Sequence, residues 1–394
     1  MMFLHVADLH VSVKEKEYSL KVWGEILRIA KEEQCRWILI CGDLFDSWED
    51  LTQLREEVRN MARPYASHFQ IFFIPGNHEV RKVPQAMDLL KKLDLGEIQV
   101  LAASPYSLHS IDPAVELLAI PFSQGPLSVE DWGVPPKKAR YRLLAAHGMV
   151  PGVVYQGEGE EELGALDLAS FQRFEIDYAA LGHLHNPPEN QNNPIPSVHP
   201  ESHVGMATLP REEQHAPIPF VYPGSGRVWR AGEEGPRSVV IWELEMGDPG
   251  SMQSRSQTKG VSIRRRVLES AGRFIPLEVE VSLDGNLQEP PLPGDLGRAD
   301  WIQLELVGIT EDERKTREQV DKFRARLEKG VRKVTVDSTK LEWIEGLSSH
   351  PLAQRFLSVW EEQYREALGQ EKDILRYARL HGLRAIQELR GGRS

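Results

Sequence analysis

Apolar runs of four or five residues recur through the first 245 positions, each flanked by Gly, Pro or Asp. Phe3–Ala7, Trp37–Cys41, Gln70–Ile74, Leu117–Ile120, Leu143–Ala146 and Tyr178–Leu181 are too short for helices and predict buried strands. Between them, Tyr18–Glu33 and Asp50–Tyr65 carry apolar residues at helical spacing, with Leu51, Leu54, Val58 and Met61 on one face of the second. Strand, helix, strand in this order predicts an α/β layered domain. In such folds chemistry collects in the loops beyond the carboxyl ends of the strands.

The pattern then changes. Residues 186–219 are rich in Pro and Asn without periodicity and read as a long loop, while 220–245 return to strand character. Residues 247–260 read as a linker. A smaller α+β unit follows, with strands expected at Leu277–Val281, Trp301–Val307, Lys333–Val336 and Lys340–Ile344 and a charged helix at Glu311–Glu328. From Pro351 to Leu389 the spacing predicts two amphipathic helices whose apolar faces need a partner. The expected division is thus 1–246, 247–346 and 347–394.

The chain has 394 residues, 41% of them hydrophobic and 27% charged, which is a globular composition. No apolar stretch approaches the roughly 18 residues of a membrane span, and Asp8 interrupts the N-terminal run where a signal peptide would be apolar. Cys35 and Cys41 are too few for a disulfide framework or a Cys-rich zinc site, so a cytoplasmic location is expected. A net charge of -12 argues against a surface that binds nucleic acid throughout.

Five polar clusters carry the candidate chemistry: Asp8-Leu9-His10, Gly42-Asp43-Leu44-Phe45-Asp46, Gly76-Asn77-His78-Glu79, Ala146-His147-Gly148 and Gly182-His183-Leu184-His185. Each follows directly on an expected strand. Strand alternation puts Asp8 and His10 on one side, and likewise His183 and His185, so each pair can close on one ion. Asp8, His10, Asp43, Asn77, His147, His183 and His185 give seven candidate ligands without a thiolate, a set that suits Mn²⁺, Fe²⁺ or Zn²⁺. One ion rarely takes seven. Two ions about 3.5–4 Å apart, bridged by one carboxylate, account for the number, and Asp43 is the natural bridge. The preceding glycines, Gly42, Gly76 and Gly182, are expected to let the backbone turn tightly. Two such ions lower the pKa of a shared water and clamp a phosphoryl oxygen, so hydrolysis of a phosphate ester is expected.

The series D-x-H, G-D-x-x-D, G-N-H-E, H, G-H-x-H resembles the calcineurin-like metallophosphoesterases. FLHVADLH, ILICGDLFD, IFFIPGNHE, DYAALGHLH and Tyr222-Pro223-Gly224-Ser225 followed by Arg227 resemble, more closely, the SbcD-type DNA-repair nucleases. The resemblance implies a four-layer sandwich, two mixed β-sheets flanked by helices, with a small capping domain and C-terminal helices. It implies that Asp8, His10, Asp43 and His185 hold one metal and Asp43, Asn77, His147 and His183 the other, with Mn²⁺ expected at both. It makes His78 the catalytic histidine that is not a ligand, oriented by Asp46. Aspartate at position 46, where the archaeal and eukaryotic branch often has His, resembles bacterial members. Losing Asp46 is expected to weaken His78 without removing metal. The loop of 186–219 is longer than this pattern usually has, and carries His199, His203 and His215.

Duplex binding needs cations along a phosphate track. Residues 251–335 hold 16 Lys and Arg against 14 Asp and Glu, with Arg264-Arg265-Arg266 as the sharpest basic run and Lys322 and Arg326 on the expected helix. These five residues are the candidate DNA contacts; a solvated, ion-paired surface is the competing explanation. The resemblance implies a Mn²⁺-dependent exonuclease (3′-5′ on duplex ends) and endonuclease in DNA double-strand-break repair. It also implies a homodimer, with Asp50–Tyr65 and Val83–Leu93 as candidate dimer helices, and terminal helices that dock an SbcC-type coiled-coil ABC ATPase. A phosphodiesterase or phosphatase for small substrates explains the clusters equally well but leaves 260–394 without a purpose. A silent scaffold sits poorly with seven intact ligands and His78.

Overall fold

A computed structural model of the chain describes residues 1–123, 127–151, 164–186, 218–246, 260–347 and 349–391. The expected linker, apart from Gly260, and His199, His203 and His215 lie outside these residues. The chain divides into two compact units, Met1–Arg273 and Phe274–Ser394.

The first unit is built on two mixed sheets. Its elements are β1 (Met2–Val6), α1 (Lys16–Glu32), β2 (Trp37–Cys41), α2 (Trp48–Ala62), β3 (Gln70–Ile74), α3 (Asn77–Val80), α4 (Ala86–Leu90), β4 (Ile98–Val100), β5 (Ser107–Asp112), β6 (Val115–Ile120), β7 (Tyr141–His147), β8 (Tyr178–Gly182), β9 (Phe220–Val221), β10 (Gly235–Pro236), β11 (Ser238–Leu244) and β12 (Val261–Val267). One sheet runs β12-β11-β1-β2-β3-β4 and the other β5-β6-β7-β8-β9. β1 to β4 are parallel, as are β6 to β9, while β11, β12 and β5 join antiparallel.

Alternation along β1 explains the layering. Leu4 and Val6 face α1 and α2, packing with Trp23, Ile26, Leu51, Leu54 and Val58. Phe3 and Ala7 face the second sheet, packing with Leu117, Leu143, Ala180 and Trp242. Trp37, Phe3 and Trp242 form a continuous stack at 5.3 Å centroid spacing. Burying one such side chain contributes about 1.5–3 kcal/mol. The fold is therefore the expected layered sandwich of mixed sheets. Its outer layer over the second sheet differs from the expectation: among the described residues a 3₁₀ segment, Leu168–Phe174, and surrounding loops supply Phe171, Phe174 and Trp132 there.

Three expectations are corrected at this level. β12 pairs with β11 over seven residues, from Ser238↔Val267 to Leu244↔Val261, so Arg264, Arg265 and Arg266 belong to the first unit and not to a second domain starting at 247. The fourth core position of α2 is Ala62, with Met61 only half-buried. The stretch 83–93 forms only the five-residue helix α4.

In the second unit β13 (Arg273–Val281), β15 (Trp301–Thr310) and β16 (Lys333–Trp343) are parallel, and β14 (Leu287–Gln288) adds antiparallel to β13. α5 (Glu313–Leu327) crosses over from β15 to β16 and buries Val320, Phe323 and Leu327 on the sheet. The two short strands expected at 333–336 and 340–344 are one strand. A bulge absorbs the Asp337-Ser338-Thr339 turn signal, shifting the register between Glu305 and Val307, and Thr339 N donates to Asp337 Oδ1 at 2.9 Å. α6 (Pro351–Glu366) and α7 (Gln370–Gly391) share a core cluster with Leu283, Ile309 and Ile344. They are thus part of this unit rather than a third one.

Candidate metal centre

All five clusters meet at the carboxyl ends of β1, β2, β3, β7 and β8. The loops there are held in backbone shapes that side chains rarely adopt: φ is +53° at Asp8, +45° at His10, +48° at Asp43 and +108° at His183. Crossed hydrogen bonds impose these shapes. Asp8 N donates to Gly42 O (3.1 Å), His10 N to Asp43 O (3.0 Å), His183 N to Asp8 Oδ2 (3.0 Å) and His78 N to Asp43 Oδ1 (2.9 Å). Gly42 fits the expectation of a tight turn, with φ of +88°. Gly76 and Gly182 are there for space instead, since a Cβ would run into Asp43 Oδ1 at the first and the Cys41 carbonyl oxygen at the second.

Three overlapping groups of donor atoms result. Ligand atoms of Asp8, His10 and His185 lie within 4.8 Å of one another, as do those of Asp8, Asp43 and His147, and of His10, Asp46 and His78. Asn77 Oδ1 stands 2.9 Å from His147 Nε2 and 3.2 Å from His183 Nδ1, and Asp43 Oδ2 stands 3.4 Å from His147 Nε2. Asp8, His10, Asp43, Asn77, His147, His183 and His185 are all buried. Among the described residues Asp8 Oδ1 and His183 Nε2 have no hydrogen-bond partner.

Electrostatics point the same way. Burial drives His10 far down and His183 down to about 4. Burial would do the same to His147 and His185, but Asp43 lifts His147 to about 9, and Asp8 and Glu233 lift His185 to about 10. Burial raises the Asp43 carboxyl, yet His147, His78 and His10 together hold it below its ordinary range. Burial and the neighbouring carboxylates thus push these histidines in opposite directions, and a divalent cation bound here would compete with protons for the same atoms. Orphaned donors, paired carboxylates and neutral imidazoles are the chemistry of a divalent-metal site, and these residues fit one.

The expectation for Asp46 needs correction. His78 Nδ1 is bound by the main-chain oxygen of Asp46 at 2.7 Å, whereas the Asp46 carboxylate is 3.8 Å from that nitrogen. The carboxylate instead accepts from Trp229 Nε1 at 2.7 Å and lies 3.3 Å from His10 Nδ1.

Several side chains at the site were not identified from sequence. Glu79 Oε2 accepts from the N–H groups of Gly76 (2.9 Å) and Asp43 (3.2 Å), and its Oε1 from Phe45 N–H (2.8 Å). Burial and the Asp43 charge push its carboxyl up to about 8 against the pull of those donors. Trp229, Glu233 and Arg237 lie well beyond the last cluster in sequence, and Arg227, quoted above only as part of a resemblance, joins them at the site. Arg227 NH2 donates to His10 O at 2.6 Å, and Arg237 NH1 to His185 O at 3.2 Å.

The expected DNA contacts fall in both units, three in the first and two in the second. Arg264 forms an ion pair with Glu33, and Arg265 NH1 donates to Pro223 O (2.6 Å) and Ser238 Oγ (3.0 Å). Arg266 lies 4.0 Å from Glu33. In the second unit Arg326 pairs with Glu289, and Lys322 is exposed on α5. The ion-paired explanation therefore holds for Arg264 and Arg326.

Residues 1–187 match the model of the family described as calcineurin-like phosphoesterase. Over 101 residues the chain is 30% identical to the DNA double-strand break repair protein Mre11 of Methanosarcina acetivorans; that stretch is 24% of this chain and 16% of that protein. Among solved structures, a dimetal phosphatase from Danio rerio is 11% identical with a TM-score of 0.39, covering 61% of this chain and 92% of that one. A purple acid phosphatase from yellow lupin is 14% identical with a TM-score of 0.42, covering 69% and 52%. The NAD nucleotidase of Haemophilus influenzae is 12% identical with a TM-score of 0.38, covering 93% and 60%. With its five strand-end clusters gathered at one centre, the stretch 1–187 is thus similar in both sequence pattern and site geometry to the calcineurin-like phosphoesterases.

Proposed function

We propose that the chain is a metal-dependent DNA nuclease, a 3′-5′ exonuclease on duplex ends and an endonuclease, acting in double-strand-break repair. The observation that carries the hydrolytic part is the convergence of seven candidate ligands and His78 on one buried centre. Support for DNA as substrate comes from the SbcD-type signatures and from the stretch shared with a protein named for double-strand-break repair. In this reading Asp8, His10, Asp43 and His185 hold one divalent ion, and Asp43, Asn77, His147 and His183 the other, with Mn²⁺ at both. When bound, such ions activate water and neutralise charge on the phosphoryl group.

The chain's own residues supply the rest. With Nδ1 tied to the Asp46 carbonyl, His78 presents Nε2, 4.0 Å from Asp43 Oδ2, and its side chain keeps 25% of its surface exposed. It is placed to touch a substrate oxygen and to give a proton to the leaving 3′- or 5′-oxygen. Burial of the donor set excludes bulk water from the reacting phosphate. α6, α7 and their connection leave Leu352, Val359, Leu368, Ile374 and Tyr377 exposed, a surface suited to an SbcC-type coiled-coil ATPase. A homodimer and a cytoplasmic location belong to the same reading. Among the described residues no helix is long and apolar enough to cross a membrane.

The test is Mn²⁺-dependent degradation of end-labelled linear duplex by the wild type and by His78→Ser, with bis-p-nitrophenyl phosphate in parallel. The expected result is cleavage of both by the wild type, and a variant that binds metal but loses about 10²–10⁴-fold in rate. Turnover of the small ester with intact duplex, even with an ATPase partner added, would replace DNA by a small phosphodiester as substrate.

A further inference from the structure

We propose that Glu233 is a positioning residue for one of the two metal sites, and that it leaves the other alone. The inference rests on the dimetal reading above. Glu233 is 1% exposed and, among the described residues, its hydrogen bond to an expected ligand is to His185. Its Oε1 lies 2.5 Å from His185 Nδ1. Its Oε2 accepts from Trp229 N at 2.6 Å and from Arg230 N at 3.2 Å.

Both bonds bear on the same donor set. A histidine ligates through a lone pair, and a carboxylate accepting from Nδ1–H leaves the Nε2 lone pair of His185 for the ion. Nε2 is the atom that faces Asp8 Oδ1 at 3.6 Å and His10 Nε2 at 3.1 Å. Through Trp229 the same carboxylate reaches His10 as well. The indole lies flat on the His10 ring, with centroids 4.3 Å apart and planes 15° apart, and its Nε1–H holds the Asp46 carboxylate beside His10 Nδ1. One buried side chain therefore sets the tautomer of His185 and the seat of His10.

The other donor set is held differently. His147 Nδ1 is paired with the Cys41 main-chain oxygen at 2.8 Å, and Asn77 Oδ1 contacts His147 and His183. Among the described residues the hydrogen bonds of Glu233 and Trp229 go elsewhere, to His185, Asp46 and the 229–230 backbone. The two metal positions are therefore supported by different chemistry: a side-chain carboxylate behind one and a backbone carbonyl behind the other.

Glutamine at 233 is isosteric but offers one acceptor oxygen where two are used. Its amide N–H groups would face either His185 Nδ1–H or the Trp229 N–H. The experiment is Mn²⁺ titration of the full chain, followed by electron paramagnetic resonance and equilibrium dialysis, for the wild type, Glu233→Gln and Trp229→Phe. His185→Ala and Asn77→Ala assign the two binding phases. The expected result for Glu233→Gln is that the phase missing in His185→Ala weakens by about 10–100-fold while the phase missing in Asn77→Ala stays put. Trp229→Phe, which keeps the stack and loses the Nε1–H, weakens the same phase less, and it reads the device should Glu233→Gln not fold. If the wild type binds two ions and the variant moves both phases equally, or neither, Glu233 is not a positioning residue and the dimetal reading survives. If the wild type binds fewer than two ions, the dimetal reading fails and this inference with it.

Discussion

Asp8, His10, Asp43 and His183 sit in backbone conformations that cost on the order of 1–3 kcal/mol each. They persist because the loops bind one another, and Glu79 is the clearest clamp. Three buried N–H groups from two loops converge on its carboxylate. Replacing it by alanine leaves them without acceptors at about 1–3 kcal/mol apiece. Glu79→Ala should therefore lose about 3 kcal/mol or more of unfolding free energy by urea titration, while His78→Ser, one residue away and partly exposed, loses little. Equal stability of the two variants would show that Glu79 does not hold the loops. At this scale the candidate ligands and their strand-end positions were legible as a pattern, because alternation and turn residues are local. The clamp was not, since a Glu within G-N-H-E looks the same whether it meets solvent or three amides. The sequence pattern pairs Asp46 with His78 but does not say through which atom: the carbonyl oxygen lies 2.7 Å from His78 Nδ1 and the carboxylate 3.8 Å.

At the level of elements, the strands that position the site read clearly from short apolar runs, and β1, β2, β3, β7 and β8 lie within a residue or two of their expected bounds. β5 was missed because Ser-Leu-His-Ser-Ile-Asp at a sheet edge carries little apolar signal. A less visible feature of the second sheet is the buried pair Arg142–Glu116. Arg142 Nε donates to Glu116 Oε2 at 2.8 Å, NH1 to Phe174 O at 2.8 Å and NH2 to Pro135 O at 3.0 Å. Burial raises the Glu116 carboxyl, but the Arg142 hydrogen bond and charge and the N–H of Lys138 outweigh it, so its folded pKa lies below the ordinary value. A depressed carboxylate contributes stability that is present above its unfolded pKa, about 4.3, and lost as pH falls through the folded value. Glu116→Gln should cost about 3–5 kcal/mol at pH 7, because it strands a buried guanidinium. The gap from wild type should narrow as pH drops below about 4. Urea midpoints at both pH values measure it; a gap that does not change with pH would remove Glu116 as the titrating group.

At the scale of the molecule, the seven candidate ligands, His78, Glu79, Trp229 and Glu233 all lie within Met1–Arg273. A fragment of these residues should keep kcat/KM for bis-p-nitrophenyl phosphate within the same order as the full chain and lose processing of linear duplex. If the fragment degrades duplex as well as the full chain does, the second unit is not what engages DNA. The expected boundary at 246 erred because β12 lies beyond a stretch with linker composition, and only its ladder with β11 assigns it to the first sheet. That same pairing carries Arg264 and Arg265 away from the second unit and into structural bonds.

The layered α/β architecture and the polar side-chain types at the strand ends are legible in the sequence, since hydrophobic period and turn chemistry act over a few residues. Which buried carboxylate backs which histidine, which glycine is needed for space, and which arginine is spent on a carbonyl were decided by tertiary structure alone. Those outcomes depend on contacts between residues up to 175 or more positions apart, such as His10 with His185 and with Arg227, and no local pattern encodes such an approach.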